Sequence, residues 1–292
     1  MRTTYFPEEF LSKYKKFCGK EWPEFFKTIQ EKQPKSFWVN SHKTNVNEIT
    51  TFLKKQNIPF EQYPFSKQAF FINYQKPGDL LIFKTGKISM QEKAAMLPVI
   101  ALNPGKEDFV LDACAAPGMK TIQLSNMSGQ VVAVDVNDLR TRSLLHNKTN
   151  YNLTNVRVVR NDVRNIKEKF DKIMLDAPCS SEGLVRKRKE ALKGWSQKLV
   201  NSKAKAQKNM IIECFDMLKP KGEMVYATCS FAKEENEDIV NFLLEKREDA
   251  QIMPVKIEGI KIRENKWCEH AVRLWPQDND TQQFFFAKIK KK

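Results

Sequence analysis

The C-terminal two thirds of the chain alternates short apolar runs with longer amphipathic stretches. From residue 109 onward the apolar runs, each followed by polar residues, are FVLDACA, VVAVDVN, VRVVRND, DKIMLDAP and EMVYATCS. Stretches such as LRTRSLLHNKTNY separate the first four runs and suit crossover helices. Apolar strands connected by helices are typical of a parallel sheet covered on both faces. We therefore predict an α/β fold with a doubly wound, mostly parallel sheet, and QFFFAKIK as an added strand, antiparallel at its edge or centre.

The first third of the chain follows a different pattern. Apolar residues recur every three or four positions in PEEFLSKYKKF and WPEFFKTIQEK, which predicts two short amphipathic helices within residues 1–35. A helix is then predicted at VNEITTFLKKQ, with short strands at SFWVN, IPFEQYPF, AFFINY and DLLIFK. The next helix, QEKAAMLPVIAL, leads into the α/β pattern. We therefore expect a helical and α+β module over residues 1–90 and an α/β domain over residues 91–292.

Charge and hydropathy narrow the classes of partner. The 292 residues include 50 Lys and Arg against 35 Asp and Glu, a formal charge of +15. This excess favours a polyanion such as nucleic acid, although solubility alone would also explain it. No apolar stretch reaches the length of a membrane span, and the start MRTTYFPEEF lacks the order of a secretory signal. We therefore expect a cytoplasmic protein that does not contact a membrane.

The six cysteines indicate reduced thiols rather than disulfides or a metal centre. None is paired at CxxC spacing, and Cys268 and His270 in WCEH lack the further ligands of a zinc site. Cys18 and Cys214 lie on predicted helices and suit core positions. We therefore expect no metal site, and free thiols allow nucleophilic chemistry.

Acidic residues follow the first three strands of the α/β pattern. The first strand leads into DACAAPGMKT over residues 112–121, whose small residues suit a tight turn into a helix. This loop matches neither the Gly-Lys phosphate loop nor GxGxxG, which argues against nucleoside triphosphates and dinucleotides. Asp135 ends the second strand and suits ribose hydroxyls, and Asp162 ends the third and suits an adenine amine. Aspartates also cap helices, but the ordered set predicts an adenosyl ligand without phosphates, such as S-adenosylmethionine.

Cysteines follow the fourth and fifth strands. Cys179 comes after the fourth strand in DAPCSS, and Cys229 comes after the fifth in ATCS. Because neighbouring parallel strands end at the same edge of a sheet, we expect the two thiols to lie together beside Asp176. A single cysteine there would suit a small core residue, but a pair next to an acid predicts nucleophilic catalysis.

Five motifs in this order resemble those of the Sun (NSUN) family of RNA cytosine-5 methyltransferases: DACAAPGMKT, VDVN, ND, DAPCSSEG and YATCSFAKEENE. The segments SFWVN, GKISMQEKAAMLP and VRLWPQDNDTQQFFFAKI extend the resemblance over roughly residues 36–290. The two-cysteine signature together with the CAAPG loop is highly specific. The resemblance implies a Rossmann-like class I methyltransferase domain that uses S-adenosylmethionine, with a small RRM-like N-terminal module that binds RNA.

The resemblance also implies a role for each site residue. Cys229 is the expected nucleophile toward carbon 6 of cytosine, Cys179 is the cysteine that assists product release, and Asp176, in its protonated form, is the partner of ring N3. The implied cofactor-binding set is Cys114, Ala115, Ala116, Pro117, Gly118, Met119, Lys120, Asp135, Arg140, Asp162 and Asp176.

Three positions depart from the family's pattern, and one lysine is a candidate activator. Met119 stands where a second glycine is common, with only its backbone expected to face the cofactor. Gln277 and Gln283 stand where the family often has His and Gly, on the substrate side. Lys120 is a candidate for lowering the pKa of the Cys229 thiol.

A basic run and two aromatic residues are candidate RNA contacts. The run directly after Cys179 is predicted to bind the RNA backbone and comprises Arg186, Lys187, Arg188 and Lys189. Its alternative is a solvated helix face. Phe37 or Trp38 in the N-terminal module is a candidate for stacking on a base, with a place in the core as the alternative.

The compact chain resembles archaeal-type tRNA enzymes of the family that lack a PUA domain. We therefore expect a monomer that acts on tRNA, with ribosomal RNA as the second candidate. A noncatalytic RNA-binding assembly factor that retains the fold is the alternative from a different class, and the intact cysteine pair argues against it. A DNA methyltransferase is disfavoured because the TCS motif and the N-terminal segment match the RNA family.

Overall fold

The computed structural model describes residues 6–292 and contains two sheets, one in each predicted unit. The N-terminal unit begins with two helices where the sequence predicts them. Its elements are α1 (Glu8–Cys18), α2 (Trp22–Gln30), β1 (Lys35–Val39), α3 (Val46–Lys55), β2 (Phe60–Gln62), β3 (Ala69–Ile72), α4 (Leu81–Lys84) and β4 (Ile88–Met90). The four strands form an antiparallel sheet in the order β2-β3-β1-β4.

One predicted strand of this unit is wrong. DLLIFK forms the short helix α4, and the fourth strand lies further along the chain. Leu80 and Ile82 are buried all the same. A short apolar run satisfies burial in either conformation, so its periodicity alone does not distinguish a strand from a helical turn.

The α/β unit begins at the helix that follows β4. Its elements are α5 (Lys93–Leu102), β5 (Phe109–Asp112), α6 (Met119–Met127), β6 (Gln130–Asp135), α7 (Asp138–Asn150), β7 (Val156–Arg160), β8 (Phe170–Asp176), α8 (Gln197–Asp216), β9 (Leu218–Thr228), α9 (Glu237–Lys246), β10 (Ala250–Met253), β11 (Val272–Leu274), α10 (Pro276–Asn279) and β12 (Phe284–Lys291). The sheet order is β10-β12-β9-β8-β5-β6-β7, and β11 pairs with β12.

The pairing of the large sheet confirms the predicted parallel core. Strands β5 to β9 pair in parallel with one another. β12 is antiparallel and lies inside the sheet between β9 and β10. Alternate residues face opposite sides: Val110 packs with the α5 and α6 side, and Leu111 packs with the α8 and α9 side. Both faces are therefore covered, as the apolar strands predict. Within residues 6–292, none of the helices has the length and apolar character needed to cross a membrane.

Helices α1 and α2 pack against the α/β unit and extend its core. The Phe10 ring meets Trp195 edge to face with 5.3 Å between the ring centroids, and Phe25 meets Phe231 in the same way at 4.7 Å. Aromatic pairs of this geometry add to the free energy of area burial. The first two helices thus support the segment that follows Cys229.

Candidate active site

The carboxyl ends of β5, β6, β8 and β9 bring the predicted residues to one edge of the large sheet. Asp112 lies opposite Ala133 of β6 and Met174 of β8, and Asp176 lies opposite Ala227 of β9. Because these strands are parallel and in register, the loops that follow them emerge side by side. The acidic residues and both cysteines therefore share this edge.

The loop after β5 is held by contacts to its backbone. Ala116 N donates to Asp135 Oδ2 at 3.2 Å, Arg140 donates to the Ala116 carbonyl, and Asn147 Nδ2 donates to the Pro117 carbonyl at 2.8 Å. Gly118 begins α6 with a φ of 108°, and a Cβ there would lie 2.8 Å from Leu144. Glycine is required for this turn by both its backbone angle and its packing.

A cavity of about 390 Å³ opens beside this loop. Four residues of the predicted cofactor set line it: Cys114, Asp135, Arg140 and Asp162. Asp135 is 4% exposed and also accepts a hydrogen bond from Asn137 N at 3.0 Å. Both oxygens of Asp162 accept from Arg164, whose side-chain hydrogen bond lowers the pKa of the Asp162 carboxyl.

Asp112 lies beneath the loop and has one unused oxygen. Its Oδ2 accepts from Thr121 Oγ1 at 2.7 Å, whereas its Oδ1 is buried without a hydrogen-bond partner among residues 6–292. Burial raises the pKa of this carboxyl to about 7. A buried acceptor without a partner is costly, which is the expected state of a group that is completed by a ligand.

These residues fit S-adenosylmethionine, the cofactor that the sequence resemblance implies. Acids line or underlie a cavity with free space for an adenosyl group, and Arg140 at the same cavity suits the carboxylate of the methionyl part. Not every predicted residue is in the cavity wall. Met119 turns toward the N-terminal unit, where its Sδ accepts from Ser89 Oγ at 3.2 Å, and Lys120 and Asp176 lie with the cysteines.

The two cysteines are adjacent. Cys179 Sγ and Cys229 Sγ are 3.2 Å apart, and both thiols are free. The hydrogen bond with Cys229, followed by burial, raises the pKa of Cys179 well above its ordinary value. Cys179 therefore keeps its proton and can donate a hydrogen bond to the Cys229 sulfur.

A buried lysine, Lys120, lies between the loop after β5 and the two cysteines. Lys120 Nζ donates to Asp176 Oδ2 at 2.6 Å and lies 5.3 Å from the centre of the Phe284 ring. Burial alone would lower the pKa of Lys120, but the Asp176 carboxylate outweighs burial and raises it. The charge of a Cys229 thiolate would act in the same direction, so the ammonium is close enough to stabilise that thiolate.

The structure adds a residue that the sequence analysis missed. Glu182 is fully buried, and its Oε1 accepts from Phe231 N and Ala232 N at 2.9 Å each and from Tyr14 Oη at 2.6 Å. Trp195 donates to its other oxygen. Glu182 thereby joins the Cys179 loop, the Cys229 loop and α1. The only sequence signal is an acid placed among small residues in the SSEG segment.

Further hydrogen bonds join the two cysteine loops. Gly183 N donates to the Cys229 carbonyl at 2.9 Å, and a Cβ on Gly183 would lie 2.6 Å from that oxygen. The buried Glu235 accepts from Ser180 N at 2.9 Å and from Ser230 Oγ at 2.8 Å. Each cysteine is therefore flanked by a residue that is bound to a buried carboxylate.

The predicted RNA contacts fall into two groups. Lys187, Arg188 and Lys189 are exposed. Arg186 is 6% exposed and its guanidinium is used internally, donating to the Thr281 carbonyl and to Asp280 Oδ1 at 2.7 Å each. Its inclusion in the exposed basic run is a correction: the turn that ends at Arg186 directs this side chain into the protein.

The candidate stacking residues are also buried. Phe37 is 0% exposed and stacks on Phe70, and Trp38 is 1% exposed and donates to Asn126 Oδ1 at 3.0 Å. The expectation that one of them stacks on a base is therefore wrong for this conformation, because β1 is central in its small sheet and its side chains fill the core on both faces.

The remaining sequence candidates are placed as follows. Gln277 Nε2 donates to Glu21 Oε2 at 3.1 Å, and the amide of Gln283 is buried without a partner among the described residues. Cys18 and Cys214 are buried, as predicted. Across residues 6–292, no cluster of three or more His, Cys, Asp or Glu side chains is placed to hold a metal ion.

Comparison with known proteins identifies the family. Residues 99–290 match a family described as 16S rRNA methyltransferase RsmB/F, and residues 6–93 match the N-terminal domain of 16S rRNA methyltransferase RsmF. A tRNA (cytosine(49)-C(5))-methyltransferase of Pyrococcus abyssi is 32% identical over 97% of this chain and 96% of its own. Ribosomal RNA small subunit methyltransferase F of Psychromonas ingrahamii is 33% identical over 92% of this chain, which spans 59% of that relative's length.

Solved structures agree with this assignment. A methyltransferase homologue from Pyrococcus horikoshii superposes with a TM-score of 0.83 at 27% identity, covering 98% of this chain and 96% of that one. NSun6 from Pyrococcus horikoshii, solved with SFG, has the same fold, with a TM-score of 0.88 at 22% identity and 99% of each chain covered. The chain therefore belongs to the RsmB/F (Sun) family of S-adenosylmethionine-dependent RNA cytosine-5 methyltransferases.

Proposed function

We propose that this chain methylates carbon 5 of a cytosine in tRNA through a covalent bond between Cys229 and carbon 6 of the base. The observation that carries the proposal is the pair of thiols, 3.2 Å apart, at the sheet edge that also bears the cofactor cavity. The noncatalytic alternative would leave this pair, and the Lys120–Asp176 pair beside it, without a use. We place the reaction in the cytoplasm and assign it to a monomer.

Cys229 is the nucleophile. Bound S-adenosylmethionine supplies an electrophilic methyl group, toward which carbon 5 of cytosine is a poor nucleophile. Addition of the Cys229 thiolate to carbon 6 forms a C–S bond, makes carbon 5 enamine-like and places negative charge on ring N3. The target base must leave its helical stack to reach Cys229.

Asp176 and Lys120 stabilise the charge at N3. N3 of neutral cytosine is an acceptor, so a contact with Asp176 requires a proton on the carboxyl group. That proton comes from solvent, whereas Lys120 Nζ, 2.6 Å from Asp176 Oδ2, keeps its own proton and places a positive charge beside the contact. A preorganised donor aimed at developing charge lowers the barrier without reorganisation during the reaction.

Cys179 assists release of the product. The hydrogen bond and charge of Cys229 are among the causes that raise the pKa of Cys179. When the Cys229 sulfur is bonded to carbon 6, these two causes vanish, and Cys179 releases its proton to solvent more readily. Cys179 then takes the carbon 5 proton, directly or through water. The electron pair re-forms the C5–C6 double bond, and the Cys229 thiolate leaves.

The choice of tRNA rests on the alignment with the Pyrococcus tRNA methyltransferase, which accounts for nearly all of both chains. Small-subunit ribosomal RNA is the second candidate, because the N-terminal residues match the RsmF N-terminal domain and several relatives are named methyltransferase F.

Transfer of labelled methyl from S-adenosylmethionine to separated, unmodified tRNA and ribosomal RNA, followed by nucleoside analysis, tests the proposal. We expect 5-methylcytidine from the tRNA pool. Label only in ribosomal RNA would replace tRNA with the second candidate. Label in neither pool, with cofactor binding intact, would favour the noncatalytic alternative.

A further inference from the structure

A second cavity, of about 240 Å³, lies at the junction between the N-terminal and α/β units. It is separate from the cofactor cavity and shares none of that cavity's lining residues. Its wall combines the segment before β1, the turn before α4, the end of β4 and the basic run. The residues that define its character are Lys32, Pro34, Pro77, Met90, Gln91 and Lys187.

The cavity has an apolar floor and a basic rim. Pro34, Pro77 and Met90 supply the apolar surface, and Lys32 and Lys187 are exposed at the opening. Lys35 adds a third cation, held by hydrogen bonds to the backbone of residues 74 and 75. An apolar surface beside cations suits a base and its phosphate.

The positive charge of this rim is not neutralised by an acidic residue in the cavity wall. Glu92 is the acidic residue in the wall, and its carboxyl group is used inside the protein, accepting from Ala95 N at 3.2 Å and from Gln282 N at 3.1 Å. Burial raises the pKa of Glu92 to about 7, so its negative charge is reduced near neutrality.

Two acceptors in the wall have no partner. Gln33 Oε1 and Gln91 Oε1 are buried without a hydrogen bond among residues 6–292. The amide nitrogen of Gln91 is already used, donating to the Ala95 carbonyl at 3.0 Å and to Gln123 Oε1 at 3.2 Å, so this side chain is fixed with its oxygen unpaired. Carbonyl oxygens of this kind accept from the exocyclic amines of nucleobases.

The cavity wall is continuous with the active site. Ser89, beside Met90, contacts Met119, which precedes Lys120. On the other side, Glu92 binds the backbone of Gln282, two residues before Phe284. The segment from Ser89 to Glu92 therefore runs along the same edge of the sheet as the catalytic groups.

We propose that this junction cavity binds an unpaired nucleotide of the substrate RNA next to the target cytosine. The inference rests on the proposed function only in taking RNA as the substrate. Extraction of a target base leaves its neighbours without a stacking partner. The junction cavity offers such a neighbour apolar surface for its base, amide oxygens for its amines and lysines for its phosphates.

A cavity-filling substitution tests this proposal. Gly78 lines the cavity, has ordinary backbone angles, and a Cβ there would meet only Phe83 at 3.8 Å. Gly78→Leu therefore adds an apolar side chain to the cavity wall without removing a charge. Gly105→Leu, at an exposed position outside the cavity, is the matched control. The probes are a short fluorescent single-stranded oligocytidylate and the same ribose-phosphate chain without bases.

Wild-type protein and the control variant should bind the base-containing strand about tenfold more tightly than the abasic strand, as expected when one base is bound on a protein surface. Gly78→Leu should lose most of that preference and keep the affinity for the abasic strand. Equal preference in Gly78→Leu and wild type, or no preference in wild type, would overturn the proposal. Competition by an acidic peptide but not by RNA would assign the cavity to a protein partner instead.

A charge variant gives a second readout. Lys32→Gln combined with Lys187→Gln should reduce the salt dependence of binding equally for both strands, because these residues would contact phosphates. If the salt dependence of binding does not change, Lys32 and Lys187 do not contact phosphates, and their proposed role in the site is wrong. All these measurements record binding alone, so failure to form 5-methylcytidine would refute the proposed function and leave this test intact.

Discussion

The sheet edge that bears the site has two halves: the cofactor half, around the loop after β5, and the cysteine half, around Cys179 and Cys229. Each half has a buried carboxylate beneath it, and the two carboxylates differ in their hydrogen bonds. Asp112, under the cofactor loop, accepts one hydrogen bond from Thr121 and has a second oxygen without a partner among the described residues. Glu182, under the cysteine loops, accepts from backbone and side-chain donors on both of its oxygens. One carboxylate is left incomplete and the other is saturated.

This difference matches what each half must do. A cofactor enters and leaves, so its half keeps a cavity and acceptors that a ligand can complete. The loops that bear the two cysteines are instead joined by internal hydrogen bonds, which hold the sulfur atoms 3.2 Å apart. The hydrogen bond from Tyr14 to Glu182 spans 168 residues of sequence, which makes the first helix part of this support.

Loss of the proposed nucleophile, Cys229, is the largest expected effect, and it should abolish methyl transfer without changing cofactor binding. Cys229→Ala should reduce methyl transfer by a factor of at least about a thousand, because no other group would add to carbon 6. Cofactor affinity, measured by calorimetry, should match wild type. Full turnover by this variant would remove Cys229 from the proposed role.

Loss of the second cysteine should give a different result from loss of the first. Cys179→Ala should accumulate a covalent protein–RNA adduct when cofactor and substrate are supplied, because the Cys229–carbon 6 bond then breaks slowly. A denaturing gel detects the adduct. The Cys179→Ala, Cys229→Ala double variant is the control and should show no adduct. An adduct in the control would assign the covalent bond to another residue.

Replacing Glu182, whose carboxylate oxygens both accept hydrogen bonds, should affect the cysteine half of the site and leave the cofactor half unchanged. Glu182→Ala leaves several buried donors unpaired and should lower the free energy of unfolding by about 1–3 kcal/mol. Glu182→Gln keeps the shape, and its effect should fall mainly on kcat rather than on cofactor affinity. Glu190→Gln, at an exposed position in the next turn, is the control. A loss of cofactor affinity equal to the loss of kcat would contradict the separation of the two halves.

The basic run tests where the cysteine half meets RNA. Replacing Lys187, Arg188 and Lys189 with Gln should weaken RNA binding and reduce its salt slope by about 0.7–0.9 for each phosphate that the variant no longer neutralises. Arg186→Gln should lower thermal stability instead, because the buried guanidinium holds the segment before β12. Similar effects of both variants on RNA binding would return Arg186 to the RNA-binding surface.

The smallest expected effect is a pH dependence of the free energy of unfolding, caused by the buried carboxyl group of Asp112. The pKa of Asp112 is about 7 in the folded chain, against 3.8 for an ordinary aspartate. Between these values the folded chain keeps a proton that the unfolded chain has released, so the free energy of unfolding falls as pH rises. Asp112→Asn should make this fall smaller in urea unfolding without cofactor, and the exposed control Glu107→Gln should not. A steeper fall in Asp112→Asn would contradict the assignment.

The sequence by itself determined the parallel strands, the acids at their ends and the positions of Cys179 and Cys229. These features are local, because apolar runs define strands and a parallel sheet gathers their carboxyl ends at one edge. The family motifs lie in the loops at that edge, so the resemblance and the strand pattern point to the same residues.

Tertiary structure decided which side chains remain available for function. Arg186 has the same sequence context as Lys187, yet its partners lie about a hundred residues away, at Asp280 and Thr281. Glu182 was missed because its donors come from α1, from Trp195 and from the segment after Cys229. Burial and saturation of a polar group depend on residues distant in sequence, and only the folded chain brings those residues together.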